Sequence, residues 1–174
     1  LKSPLLQVMN QLDNQIFQDR RKSFLSKLGG KAAIIPAASL VKHHADCEYP
    51  FRQDSNFWYL TGFDEPDAIA LFLSHKPEGE KFILFVHPKD AVNEVWNGFR
   101  WGVNGAEKVF KADKSHPLSE FENELPNYIM GAEEIVFSIG KYPLIEPIVL
   151  NLWAKQIENL ARLGSAPQSI QSPG

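Results

Sequence analysis

Asp67–Ser74 reads DAIALFLS and Lys81–His87 reads KFILFVH, two apolar runs connected through Lys76-Pro77-Glu78-Gly79-Glu80. Proline and glycine in so short a connection favour a tight reversal, so the pair predicts a β-hairpin. Upstream, Lys31–Ala37 carries Ala32, Ala33, Ile34 and Ile35 between glycine and proline, which suits a buried strand better than a helix of that length. Glu134–Ile139 (EIVFSI) is a further short strand.

Helical patterns separate these strands. Phe17, Phe24, Leu25 and Leu28 share one face of a predicted helix capped by Asn10 or Asp13 and ended by Gly29-Gly30. Asp90–Gly98 can start a short helix at its aspartate, and Pro117–Met130 places Leu118, Phe121, Leu125 and Ile129 at helical spacing, with Pro126 set to bend or shorten it. Leu144–Leu163 repeats apolar residues on one face, with Pro147 near its first turn and Gly164 after its end. Strands interleaved with helices predict an α/β fold of three layers, a mixed β-sheet flanked by helices. Ser39–Phe57 is left as a long structured surface loop.

With 174 residues, 44% of them hydrophobic, the chain supplies one domain's core. Residues 1–164 are expected to form it, and the Ser-, Pro- and Gln-containing tail 165–174 reads as the start of a linker to a further domain. A net charge of −3 without long runs of one sign offers no attraction to phosphate backbones or anionic lipid, so neither nucleic acid nor membrane is an expected partner. No stretch approaches roughly 20 uncharged apolar residues, and the single cysteine, Cys47, cannot form an internal disulfide, which makes a cytoplasmic location the expectation.

Catalytic chemistry is hard to find. The five histidines do not converge at metal-ligand spacing: His43 and His44 are adjacent, and His75, His87 and His116 stand singly, as ordinary surface histidines do. No HExxH, CxxC, phosphate loop or nucleophile elbow occurs. Asp46, Glu48 and Asp54 surround Arg52. Acid–base work is open to them, but a bidentate pair between Arg52 and one of these acids, pinning the loop, is the expected arrangement. Tyr49, Phe51, Phe57, Trp58 and Tyr59 can crowd their rings around the same guanidinium. Cys47 is expected to be a bystander thiol.

Taken together, Asp46–Phe63 (DCEYPFRQDSNFWYLTGF) closely resembles the signature of the N-terminal domain of aminopeptidase P, the Xaa-Pro aminopeptidases. Arg20-Arg21 and Glu94-Val95-Trp96-Asn97-Gly98 support the likeness, which spans roughly Gln15 to Pro167. The resemblance implies the creatinase/aminopeptidase P type of N-terminal domain, with no catalytic group and no metal of its own. It implies a following catalytic domain in which two divalent ions, manganese being the expected metal, activate water to cleave the bond before a proline at position 2 of a peptide. It further implies homo-oligomers, dimeric or tetrameric, in which Trp96 reaches a neighbouring subunit's substrate cleft and Asp46 faces the same cleft, with Arg52 facing it or pinning the loop. Prolidase or creatinase N-terminal domains match the run from Tyr49 to Gly62 less well, and a stand-alone interaction module is the alternative of a different class.

Overall fold

The computed structural model describes residues 4–40, 42–43, 47–48, 51–89, 99–163 and 170–171. Helix α1 (Pro4–Leu28) leads into β1 (Ala32–Pro36), followed by the short strands β2 (Lys42–His43) and β3 (Cys47–Glu48). Next come α2 (Ser55–Thr61), the hairpin β4 (Ile69–Leu73) and β5 (Phe82–Val86), α3 (Gly102–Lys108) and β6 (Lys114–Pro117). A 3₁₀ turn (Leu118–Glu120) runs into α4 (Phe121–Ile129), then β7 (Ile135–Phe137), α5 (Glu146–Leu163) and β8 (Ile170–Gln171).

Among the described residues six strands form one sheet in the order β6-β5-β4-β1-β7-β8. β4 is antiparallel to both β5 and β1, whereas β1–β7, β5–β6 and β7–β8 are parallel, so the sheet is mixed as expected. β1, β4 and β5 are buried along their whole length. Their alternation therefore divides one apolar run between two cores. Ala33, Ile35, Ala70, Phe72, Phe82 and Leu84 face Leu28, Phe57, Leu60 and Ala106 of α1, α2 and α3. Ile34, Ile69, Leu71, Ile83 and Phe85 face Phe121, Leu125, Ile129 and Val149 of α4 and α5. This is the three-layer α/β architecture. Fully buried phenylalanines such as Phe57, Phe72 and Phe85 each stabilise it by roughly 1.5–3 kcal/mol.

Several boundaries differ from the sequence reading. α1 reaches back to Pro4, beyond the cap expected at Asn10 or Asp13. Its end is where the glycines place it: Gly29 and Gly30 have φ of 56° and 87°, a region that costs other residues energy. Pro126 lies inside α4, which stops at Ile129. The strand β6 (KSHP) and the helix α3 (GVNGAEK) carry no clear apolar period and were unexpected. Two residues of the tail, Ile170 and Gln171, join the sheet beside β7. The helix expected over Asp90–Gly98 lies outside the described residues.

Candidate functional site

The segment that carries the resemblance is not an irregular loop throughout. Asp54 caps α2: its Oδ1 accepts from Asn56 N and Phe57 N, both at 3.0 Å. Its other oxygen, Oδ2, takes the ammonium of Lys141 at 2.5 Å. Burial pushes the Asp54 carboxyl up, but the Lys141 contact and the Phe57 N–H together hold it below the ordinary aspartate value. Gly62 closes α2 in the left-handed conformation, and its N–H reaches Trp58 O at 2.9 Å. A side chain at Gly62 would collide with the Phe17 ring of α1, so glycine also lets the two helices approach.

Gln53 pins this segment through four hydrogen bonds. Its Oε1 accepts from Ala38 N and Asp54 N at 2.8 Å, and its Nε2 donates to Phe63 O at 3.2 Å and Glu65 O at 2.9 Å. One amide thus ties the end of β1, the start of α2 and the approach to β4 together. Arg52 is exposed, and Asp54 is paired with Lys141 instead. Asp54 is thus taken up by Lys141 and the α2 cap, and the other two acids expected beside Arg52, Asp46 and the side chain of Glu48, lie outside the described residues. The glutamine's role left no local pattern because three of its four partners lie 10, 12 and 15 residues away.

The aromatic cluster also gathers elsewhere. Phe57 is buried in the core, and Trp58 and Tyr59 are 43% and 53% exposed. Trp58 meets the Phe17 ring edge-on at 5.9 Å, and the cation beside Tyr59 is Arg20 of α1, whose guanidinium lies 4.3 Å from the Tyr59 ring centre and 5.3 Å from that of Phe17. Arg21 turns inward: it is buried, donates to Leu60 O at 3.0 Å and Phe110 O at 3.3 Å, and stacks 4.3 Å over Phe82. Burial lowers its pKa to about 10, with Asp113 opposing, so it stays charged at neutral pH.

Around the other side of the hairpin, Glu65 is buried and accepts from Trp101 N at 2.5 Å, with Arg100 3.8 Å from its second oxygen. His87 stands 3.9 Å from Asp67, a residue held at φ 57°. His75 and His116 are not free surface groups. His75 Nε2 lies 3.0 Å from Tyr128 O, and His116 stacks on Phe85 with Nε2 2.6 Å from the Tyr128 hydroxyl. Among the described residues no group of three or more His, Cys, Asp or Glu side chains could hold a metal ion. These residues do not fit a metal centre. Trp96 and Asp46 lie outside the described residues, as do the side chains of Cys47, Glu48 and His43.

A cleft of about 230 Å³ opens between α1, α2 and the carboxyl ends of β1 and β7. Those two strands are parallel neighbours whose continuations diverge: the chain leaving β1 builds α2 on one face, and the chain leaving β7 builds α5 on the other. Such a divergence leaves a crevice where open α/β sheets place ligands.

The family model for "Aminopeptidase P, N-terminal domain" matches residues 17–137. The chain is 34% identical over 142 residues to the Xaa-Pro aminopeptidase of Escherichia coli (strain K12), an overlap of 81% of this chain and 32% of that protein. It is 38% identical over 125 residues to the Xaa-Pro aminopeptidase of Haemophilus influenzae, or 71% of this chain and 29% of the other. The structure of Pseudomonas aeruginosa aminopeptidase PepP superposes with a TM-score of 0.82 at 30% identity, over 91% of this chain and 36% of that one. Zinc-substituted Escherichia coli aminopeptidase P in complex with product gives 0.81 at 31%, with the same coverage. The chain spans about a third of the length of these relatives. It belongs to the family of aminopeptidase P N-terminal domains.

Proposed function

We propose that this chain serves as the N-terminal, non-catalytic domain of a metal-dependent Xaa-Pro aminopeptidase, an enzyme that removes the residue preceding a proline from a peptide's N-terminus. The observation that carries this reading is the alignment of 81% of the chain with 32% of the Escherichia coli Xaa-Pro aminopeptidase. Its partner is then a C-terminal catalytic domain, which holds the divalent ions, with manganese the expected metal, and supplies the hydrolytic chemistry. What this chain contributes is a rigid body: α2 held by the Gln53 amide and the Asp54 cap, and α1 locked onto it through Arg20 and Arg21.

Within that reading the enzyme is a cytoplasmic homo-oligomer, Trp96 reaches the substrate cleft of a neighbouring subunit, and Asp46 faces the same cleft. An indole is a rigid apolar wall with one N–H donor, suited to excluding water and stacking on a proline ring. The test is hydrolysis by the product of the gene extended beyond residue 174. Cleavage of Ala-Pro-Ala but not Ala-Ala-Ala in the presence of manganese is expected. Equal cleavage of both peptides, or of neither, would remove the reading.

A further inference from the structure

We propose that the cleft at the carboxyl ends of β1 and β7 is a binding site for a small apolar carboxylate. The floor is apolar, made by Phe24, Ile34, Ile35, Pro36 and Leu60. The rim is cationic. Arg20 and Lys27 of α1 are seven residues apart, two helical turns or roughly 10 Å along one stripe, with Ser23 between them. Among the described residues no Asp or Glu lines the cleft, and its charged side chains, Arg20 and Lys27, have one sign.

Arg20 is already oriented. The Tyr59 and Phe17 rings fix its plane, and among the described residues its one hydrogen-bond acceptor is Tyr59 O at 3.3 Å. A guanidinium has five N–H donors in a rigid fork, so most of them are left for a carboxylate. Asn56 of α2 and Ser138 just after β7 add neutral polar groups on the two walls. Tyr142 closes the far side, held by its own contacts with Asp54 and Lys141. The Lys141–Asp54 pair thus neutralises the nearby carboxylate and steadies that wall. A volume of about 230 Å³ corresponds to roughly eight waters of liquid, enough for a ligand the size of one amino acid. Charge at the rim and hydrocarbon beneath it select a carboxylate with an apolar body. The ligand is either a free acid or the C-terminus of a peptide.

The site is tested on the 174-residue chain by two-dimensional NMR, with N-acetylleucine, N-acetylleucinamide and inorganic phosphate as separate probes. N-acetylleucine should give saturable shifts at the amides of Asn56, Tyr59 and Ser138, and the neutral amide should bind at least about tenfold more weakly, as loss of a charge-assisted contact predicts. Phosphate, which has charge but no apolar body, should also bind more weakly. Arg20→Gln combined with Lys27→Gln should abolish the difference between acid and amide. Competition by acetyl-Ala-Leu identifies a peptide C-terminus as ligand, and its failure to compete identifies the free acid. Equal binding of acid and amide, phosphate binding as tightly as the acid, or no saturable shift up to about 10 mM would overturn the proposal. The acid–amide comparison needs no variant and no enzymatic activity, so it stands apart from the aminopeptidase reading.

Discussion

Lys141, in the loop after β7, reaches back across 87 residues to Asp54, the cap of α2, and places its Nζ 2.5 Å from Oδ2. The contact joins the helices of one face to the loop that leads to the other. Asp54 is only 8% exposed and Lys141 is 51% exposed, so the carboxylate is the member held in place.

Replacing Asp54 separates its two tasks. Asp54→Ala removes the cap and the ion pair and should cost about 1–2 kcal/mol, whereas Asp54→Asn keeps a capping oxygen and should cost under about 1 kcal/mol. The carboxyl is held below its ordinary value of 3.8 in the folded chain. Its contribution is therefore complete above that value and is lost as pH falls through the lower, folded value. Urea denaturation of the wild type and Asp54→Asn between pH 2 and 7 should show the wild-type advantage shrinking at the acid end. An advantage independent of pH would mean that the charge is irrelevant.

Gln53 and Arg52 offer a sharper comparison, since they are adjacent. Gln53→Ala leaves two backbone N–H groups and two carbonyls without their partner and should cost about 2–4 kcal/mol. Arg52→Ala, at an exposed position, should stay within roughly 0.5 kcal/mol. Gln53→Glu keeps the acceptor but turns a carboxylate toward Phe63 O and Glu65 O, so it should also destabilise. Denaturation midpoints for the three variants decide the matter. A larger loss at Arg52 than at Gln53 would restore the arginine as the pin.

Much of the architecture was legible because apolar period and turn chemistry agree in the same places. The hairpin β4–β5 has two unbroken apolar runs around Pro77 and Gly79, and α1 ends on two glycines. Elements with weak local signals were missed. α2 is seven residues long, yet Asp54 at its cap, Phe57 and Leu60 three apart and Gly62 at its end were there to be read. β6 is polar and ends in proline, which suits its place at the sheet's edge but gives no alternation to detect. Tertiary partnerships were harder still. Nothing local says that Tyr59 belongs to Arg20, 39 residues earlier, rather than to Arg52, or that Asp54 belongs to Lys141.

Trp96 is the residue through which the proposed domain would affect chemistry. In the full-length enzyme, Trp96→Ala should raise KM or lower kcat for short Xaa-Pro peptides and leave metal content and thermal midpoint unchanged. Trp96→Phe should recover part of the loss, because the ring remains and the N–H does not. Unaltered kinetics, or a variant that fails to fold, would remove the contact between subunits.

Metal binding by the isolated chain tests the central claim, that the chemistry lies outside this domain. Isothermal titration with manganese and with zinc should reveal no stoichiometric site tighter than about 10 μM in the 174-residue chain, and the full-length protein should bind divalent ions under the same conditions. A tight stoichiometric site in the isolated chain would contradict the account and place metal chemistry within these residues.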